Sequence, residues 1–390
     1  MRVLFSTSGG SLGHLNPLLP LARALLGAGH QVAMAGPPGF QDRISKAGLA
    51  PFSAGRDAED CWTELARRYP GEPYNLLAPE DILDWYVPRI FGEVAAYWMA
   101  PELDEVVEIW KPDLMVHEAF EFAAPVIAAR RGLPSASHGL GPRSTDRQVL
   151  LSAAALVPLW RKYGLTPDPE AGLYRRLGFD IIPPSLQPSG LAPRPTLAPL
   201  RPVAPASATG AAPAWLPDLA ERPLVLMTLG TAITTNANLD VYRTVIEALA
   251  GDDVGLLVTL GENLDPAALG DLPARVRAER YVPHAEVLPR CALVICHGGA
   301  ATTLSAMAHG LPVLVLPQGS DQYQIAGLCA EAGVGAWLAP SDVTADGVRG
   351  AVRQLLGDAS FAIAAQRVRD EIAAMPDVQH AVTLLEGLLA

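Results

Sequence analysis

Short apolar runs separated by stretches of helical spacing recur along the whole chain. In the first half the runs are RVLFS at 2–6, QVAMA at 31–35, DLMVH at 113–117 and PSASH at 134–138. Such short runs joined by amphipathic segments predict parallel strands with crossover helices. The first helix is expected over Pro17–Leu26: Asn16 is a capping residue, Pro17 suits the first helical position, and Gly29 lies just beyond the end. The rhythm restarts with LVLMTLG at 224–230, GLLVTLG at 255–261, ERYV at 279–282, LVICHGG at 293–299, VLVLP at 313–317 and GAWL at 335–338. A second parallel α/β domain is therefore expected.

Between the two halves, residues 183 to 217 hold ten prolines around the run APASATGAAPAW, which excludes a regular helix or a central strand. This places a linker at 204–217, a first domain at 1–203 and a second at 218–375. No repeat with a period of 20–50 residues is visible, so the halves share an architecture without being copies. Residues 57–100 are aromatic-rich and read as irregular.

With 390 residues, half of them apolar and 18% charged, the chain can fill two globular cores. Its formal charge of -12 argues against a nucleic-acid partner, which needs a basic surface. The opening MRVLFSTSGG is too short in its apolar part for a signal peptide. The longest apolar stretch, at 150–160, falls short of the roughly 18 residues of a membrane span. A soluble, cytoplasmic protein is expected. Cys61, Cys291, Cys296 and Cys329 show neither metal-ligand nor disulfide spacing, so buried thiols and no metal are expected.

Candidate chemistry gathers in two loops. SGGSLGHLNP at 8–17 follows the first strand, where a parallel sheet presents ligands at its carboxyl edge. It lacks the Gly-x-Gly-x-x-Gly of dinucleotide sites, and His14 reads either as a structural histidine or as a general base towards a hydroxyl. The second loop lies in LVICHGGAATTLSAMAHGLPVLVLPQGSDQYQIA at 293–326, where His297, Gly298 and Gly299 link a strand to a helix. Backbone amides and the positive helix end would meet there, which suits a diphosphate, with hydroxyls from Thr302 and Thr303 nearby.

These segments, with PDLMVHEAFEFAAPVIAARRGLP at 112–134, TLGT at 228–231 and YVPHAEVLPRC at 281–291, span nearly the whole chain. Together they resemble the bacterial antibiotic and natural-product glycosyltransferases of the GT-B fold, two Rossmann-like domains facing a cleft. The resemblance implies an inverting, metal-independent transfer of a sugar, expected to be a deoxysugar, to a small apolar aglycone. It implies no cofactor beyond a nucleotide-sugar co-substrate and a monomer or homodimer. His14 would be the base and Glu118 its orienting carboxylate, with Glu121 as the alternative.

On the donor side the resemblance implies Val282 and Pro283 at the pyrimidine and Gly230, Thr231, His297, Gly298, Gly299, Thr302 and Thr303 around the diphosphate. It also implies Asp321 and Gln322 at the sugar hydroxyls. Two departures stand out: Ala301 replaces a frequent glycine, and Ser305 replaces the glutamate with which relatives hold a ribose. Ser305 points to a thymidine diphosphate donor. Among the aromatic residues, Trp62, Trp85, Tyr86 and Phe91 are expected to line the acceptor site. A terminal helix at 376–390 is expected to return to the first domain, burying Val382, Leu385 and Leu389. Rival readings are a sugar-nucleotide epimerase or hydrolase, and a non-catalytic nucleotide-binding activator.

Overall fold

The structure is a computed structural model that describes residues 1–9, 11–71, 77–203, 213–230, 238–261 and 264–389. The chain forms two compact units. One comprises Met1–Ile182, Pro188–Arg201 and Met375–Ala390, the other Pro183–Gln187 and Pro202–Ala374. The boundary differs from a simple cut in the linker. The short turn Pro184–Leu186 groups with the second unit, where the amide of Ser185 donates to Glu371 at 3.1 Å. Positions 204–212 of the expected linker lie outside the described residues.

Among the described residues the first unit holds seven parallel strands in the order β3-β2-β1-β4-β5-β6-β7. They are β1 Arg2–Ser6, β2 Gln31–Gly36, β3 Ala50–Ser53, β4 Leu114–Glu118, β5 Ser135–His138, β6 Leu177–Asp180 and β7 Leu197–Pro199. β1 and β4 are almost wholly buried, as strands covered by helices on both faces must be. The described residues of the second unit hold six, β8 Leu224–Thr228, β9 Gly255–Thr259, β10 Val276–Glu279, β11 Cys291–Cys296, β12 Val313–Val315 and β13 Gly335–Trp337. Their order is β10-β9-β8-β11-β12-β13, again all parallel.

Several expectations need correction. The strand expected at 279–282 ends at Glu279, because β10 pairs with β9 only over Val276–Glu279. The first helix starts earlier than proline placement predicts. Ser11 caps a short turn over Leu12–Leu15, a 3-10 turn follows at Asn16–Leu18, and the main helix runs Leu19–Gly27. Most of the described part of the aromatic-rich region is helical. Ala58–Arg68 forms one helix, and Ile82–Trp110 runs continuously with a π-helical stretch over Val87–Ala95. A π turn widens the helix and re-aims its side chains, which blurs the 3.6-residue period that sequence reading relies on.

The terminal helix Val378–Gly387 belongs to the first unit, with Ala381, Val382 and Leu385 buried. His30 joins it to the Leu19–Gly27 neighbourhood through a 2.9 Å contact with Glu386. Leu389 lies past the helix end and is exposed, so the buried stripe stops at Leu385. All four cysteines are buried thiols. Among the described residues no helix is long and apolar enough to cross a membrane.

Candidate active site

β1 and β4 are central neighbours from which the strand order departs in opposite directions. Ligands bind at such a switch point, beyond the carboxyl ends of the strands. Their register pairs Ser6 with His117, so the residues that follow, Ser8 and Glu118, converge at that edge. His14 sits in the Leu12–Leu15 turn just beyond β1 and places its Nδ1 3.0 Å from Glu118 Oε1.

Glu118 is completely buried, and an ionised carboxylate there must be surrounded by donors. The Ser8 hydroxyl donates to Oε1 at 2.5 Å and the Ser8 amide at 3.3 Å, while the Phe120 amide donates to Oε2 at 2.5 Å. Burial raises this carboxyl. The charge and hydrogen bond of His14, the Ser8 hydroxyl and the Phe120 amide outweigh burial and hold it below its ordinary range. Glu121 is also buried but turns elsewhere, accepting from the Ser6 hydroxyl at 2.6 Å and from the amides of Ala123 at 2.7 Å and Ala124 at 3.1 Å. Burial pushes its carboxyl up to about 7, against the Ser6 bond and with the help of the Glu118 charge. Of the two carboxylates, Glu118 is the one that meets His14.

Around His14 the aromatic residues form a chain. Its ring lies 5.2 Å from Phe91 and 6.2 Å from Phe120, and those two stack at 5.4 Å. Phe91 meets Tyr86 edge-on at 5.4 Å, and Tyr86 stacks on Trp62 at 5.2 Å. Trp85 packs against Tyr69 at 6.1 Å, with the Arg89 guanidinium 4.9 Å above its ring. A depression beyond β4, β5 and β6 is lined by Phe120, Leu140, Pro142, Tyr174 and Phe179. Sequence reading missed Ser8, Phe120 and this depression. Phe120 was legible only as one of the two residues between the candidate carboxylates.

The second unit repeats the arrangement. β8 and β11 are central, the strand order again departs both ways, and Thr228 pairs with Cys296. Gly230 and His297 follow directly. A Cβ on Gly230 would lie 2.6 Å from His297 Cε1, and one on Gly299 would lie 2.4 Å from Nε2, so the imidazole is wedged between two glycines. Gly298 has φ of +89° and packs against Val315 and Gln322, leaving no room for a side chain. Burial pushes the His297 imidazole down to about 4, against a bond with the Thr228 backbone, and its Nδ1 has no hydrogen-bond partner among the described residues.

Gly299 caps the Ala300–Ala308 helix, whose first turn holds no acidic residue. Ala301 is exposed and Thr302 half-buried there, whereas Thr303 is buried with its hydroxyl towards Cys296. The Ser305 hydroxyl donates back to the Ala301 carbonyl at 2.8 Å. Gln322 is buried, its side-chain oxygen accepting from the Gln318 amide at 2.7 Å, and Asp321 stands half-buried at the N-cap of Gln322–Glu331. Val282 is buried beside half-buried Pro283. Thr231 lies outside the described residues.

Two family models match the chain, the N-terminal domain of erythromycin biosynthesis protein CIII-like proteins over residues 88–230 and their C-terminal domain over 243–388. The chain belongs to this family. Relatives of the chain include 10-deoxymethynolide desosaminyltransferase from Streptomyces venezuelae, 32% identical over 100% of this chain and 97% of that protein. Another is 3-alpha-mycarosylerythronolide B desosaminyl transferase from Saccharopolyspora erythraea, 28% identical over 100% and 99%. Among solved structures, spinosyn rhamnosyltransferase SpnG complexed with thymidine diphosphate is 31% identical, with a TM-score of 0.79 over 99% of this chain and 100% of that one. The protein is thus an antibiotic-type glycosyltransferase of the CIII-like family, and its two parallel sheets are the two halves of a GT-B fold.

Proposed function

We propose that the enzyme moves a deoxysugar, with inversion, from a thymidine diphosphate sugar to a hydroxyl of a small apolar aglycone. The observation that carries this reading is the His14–Glu118 pair at the β1/β4 switch point, beside the aromatic chain of Trp62, Tyr86 and Phe91. An ionised Glu118 accepts from Nδ1–H, which leaves the imidazole lone pair on Nε2. The acceptor hydroxyl gives its proton to that nitrogen, its oxygen bonds to the anomeric carbon, and the bond from that carbon to the diphosphate oxygen breaks. Glu118 then stabilises the imidazolium that forms.

The negative charge that develops on the diphosphate is assigned to the second unit. The amides at the start of the Ala300–Ala308 helix, its dipole, the His297 imidazole and the Thr302 hydroxyl supply donors there. This is a metal-independent scheme. Gly230 allows the His297 ring to sit where it does, and Asp321 and Gln322 are assigned to the sugar. The aglycone takes the surface made by half-buried Trp62, Tyr86 and Phe120, with Phe91 buried in the core behind them, and extends into the depression beyond β4–β6.

The choice of thymidine over uridine rests on position 305. The serine hydroxyl is committed to the Ala301 carbonyl and offers no carboxylate to a ribose 2'-hydroxyl. A thymine methyl against Val282 would add about 0.8 kcal/mol, roughly fourfold in affinity. Mass spectrometry of reactions with a panel of nucleotide deoxysugars and polyketide aglycones is the direct test, and the expected product is the aglycone plus one deoxysugar. Calorimetric titration with TDP and UDP tests the donor. Tighter or equal UDP binding overturns the thymidine assignment, and sugar release without any glycosylated product overturns the transferase mechanism.

A further inference from the structure

Glu121 plays no part in the chemistry above, yet it is a fully buried carboxylate three residues from Glu118. Its amide donates to the Glu118 carbonyl at 3.0 Å, which closes the turn after β4. Its carboxylate reaches back to β1 through Ser6 and forward to the first turn of the Ala123–Arg131 helix through Ala123 and Ala124. Capping a helix needs only Ser, Thr, Asn or Asp at its start. The longer glutamate spans from that helix to the neighbouring strand.

We propose that Glu121 is a positioning residue whose side chain clamps the exit of β1 to the turn after β4, thereby holding the Glu118 carboxylate against His14. The donors that hold Glu118 come from the two segments so joined. Ser8, two residues beyond the Ser6 contact, supplies a hydroxyl and an amide to Oε1, and Phe120, inside the turn closed by Glu121, supplies an amide to Oε2. If the segments move apart, Oε1 loses both of its Ser8 donors, while the Phe120 amide, two residues away in the same turn, stays with Oε2. The titratable groups around the clamp are His14 from the Leu12–Leu15 turn, Glu118 and His117 from β4, and His138 from β5; β1 contributes hydroxyls only. With its carboxyl held up near 7, Glu121 keeps a second full charge away from Glu118 over the acid range, so an amide is its closest substitute.

This inference rests on His14 acting as the base, and the test separates the two. Glu121→Ala, Glu121→Gln and Glu118→Gln are compared with wild type in kcat, in both KM values and in the pH profile of kcat/KM. Glu121→Ala is expected to lower kcat by about tenfold to a hundredfold, the cost of a misplaced catalytic group, with both KM values unchanged within about twofold. The acid limb should move to lower pH, because a retracted carboxylate no longer stabilises the imidazolium. Glu118→Gln should move it the same way, and Glu121→Gln should restore kcat to within about threefold of wild type. An unmoved limb in Glu121→Ala, while Glu118→Gln moves it, reduces Glu121 to a helix cap and overturns the proposal. An unmoved limb in Glu118→Gln instead overturns the His14 reading. If Glu121→Ala does not fold, Ser6→Ala must shift the limb in the same direction by a smaller amount; a wild-type profile in that variant also overturns the clamp.

Discussion

The two units place their candidate groups at the same topological position and equip it in opposite ways. Beyond β1 and β4 the first unit gathers a histidine, two buried carboxylates and serine hydroxyls within a few ångströms. Beyond β8 and β11 the second offers glycines, the start of a helix and one imidazole held neutral by burial. A site that moves a proton needs ionisable groups coupled to one another, whereas a site that only holds a permanent charge is served by fixed dipoles. The shared architecture supplies the place, and the side chains after each strand decide the work.

The strongest test of this division is His14→Ala. It should cut turnover with a hydroxyl acceptor by about 10² to 10⁴ and leave nucleotide affinity unchanged within about twofold. Steady-state kinetics beside calorimetric titration of TDP decides it, and retention of a third of wild-type turnover would remove His14 from the mechanism.

The next effect is on stability. Burial holds His117 and His138 down to about 4 in the fold, against about 6.5 in the unfolded chain, so only the unfolded chain takes up protons in that window. Their contribution is complete above pH 6.5 and is lost as the pH falls towards 4, by about 3 kcal/mol each. Glu121 has the opposite sign. Raised to about 7 from an unfolded value near 4.5, it stabilises fully below 4.5 and loses that contribution as the pH rises through 7. Urea midpoints should therefore peak near pH 6, and His138→Asn should flatten the acid side alone. An unchanged midpoint between pH 6.5 and 4.5 would show that the buried histidines of the first unit do not control its acid response.

The smallest effect sharpens the second site. In Gly299→Ala a Cβ meets the His297 ring, so the imidazole must shift away from the helix start. TDP affinity should fall by about tenfold to a hundredfold, the cost of one or two lost bonds to a charged group, and the acid limb of kcat/KM should not move. A moved limb would mean that the two sites do not divide the work.

Much of this was legible in the sequence, for identifiable reasons. β1, β4, β8 and β11 are buried on both faces and read as unbroken apolar runs, and the loops after them carry the glycines and histidines that mark both sites. The Glu118 and Glu121 alternatives were visible as residue types, but spacing within one turn could not rank them. The short strands β3, β6 and β7 escaped because an exposed or interrupted run such as APFS lacks both alternation and length. The terminal stripe was overextended by Leu389 because a periodic pattern carries no mark of where its helix frays.

The sequence by itself determined the two parallel sheets, the identity of His14 and His297, and the glycines that let a chain turn tightly beside each, since all of these follow from local pattern and backbone freedom. Tertiary structure alone decided which carboxylate meets His14, that Arg89 lies over the Trp85 ring, and that Thr303 and Gln322 turn inward. Those outcomes depend on contacts between strands more than a hundred residues apart in sequence, such as Ser8 with Glu118, or on the direction in which a helix presents a side chain. Neither is encoded in the spacing of residue types along one segment, because the direction of a side chain is set by what the rest of the fold packs around it.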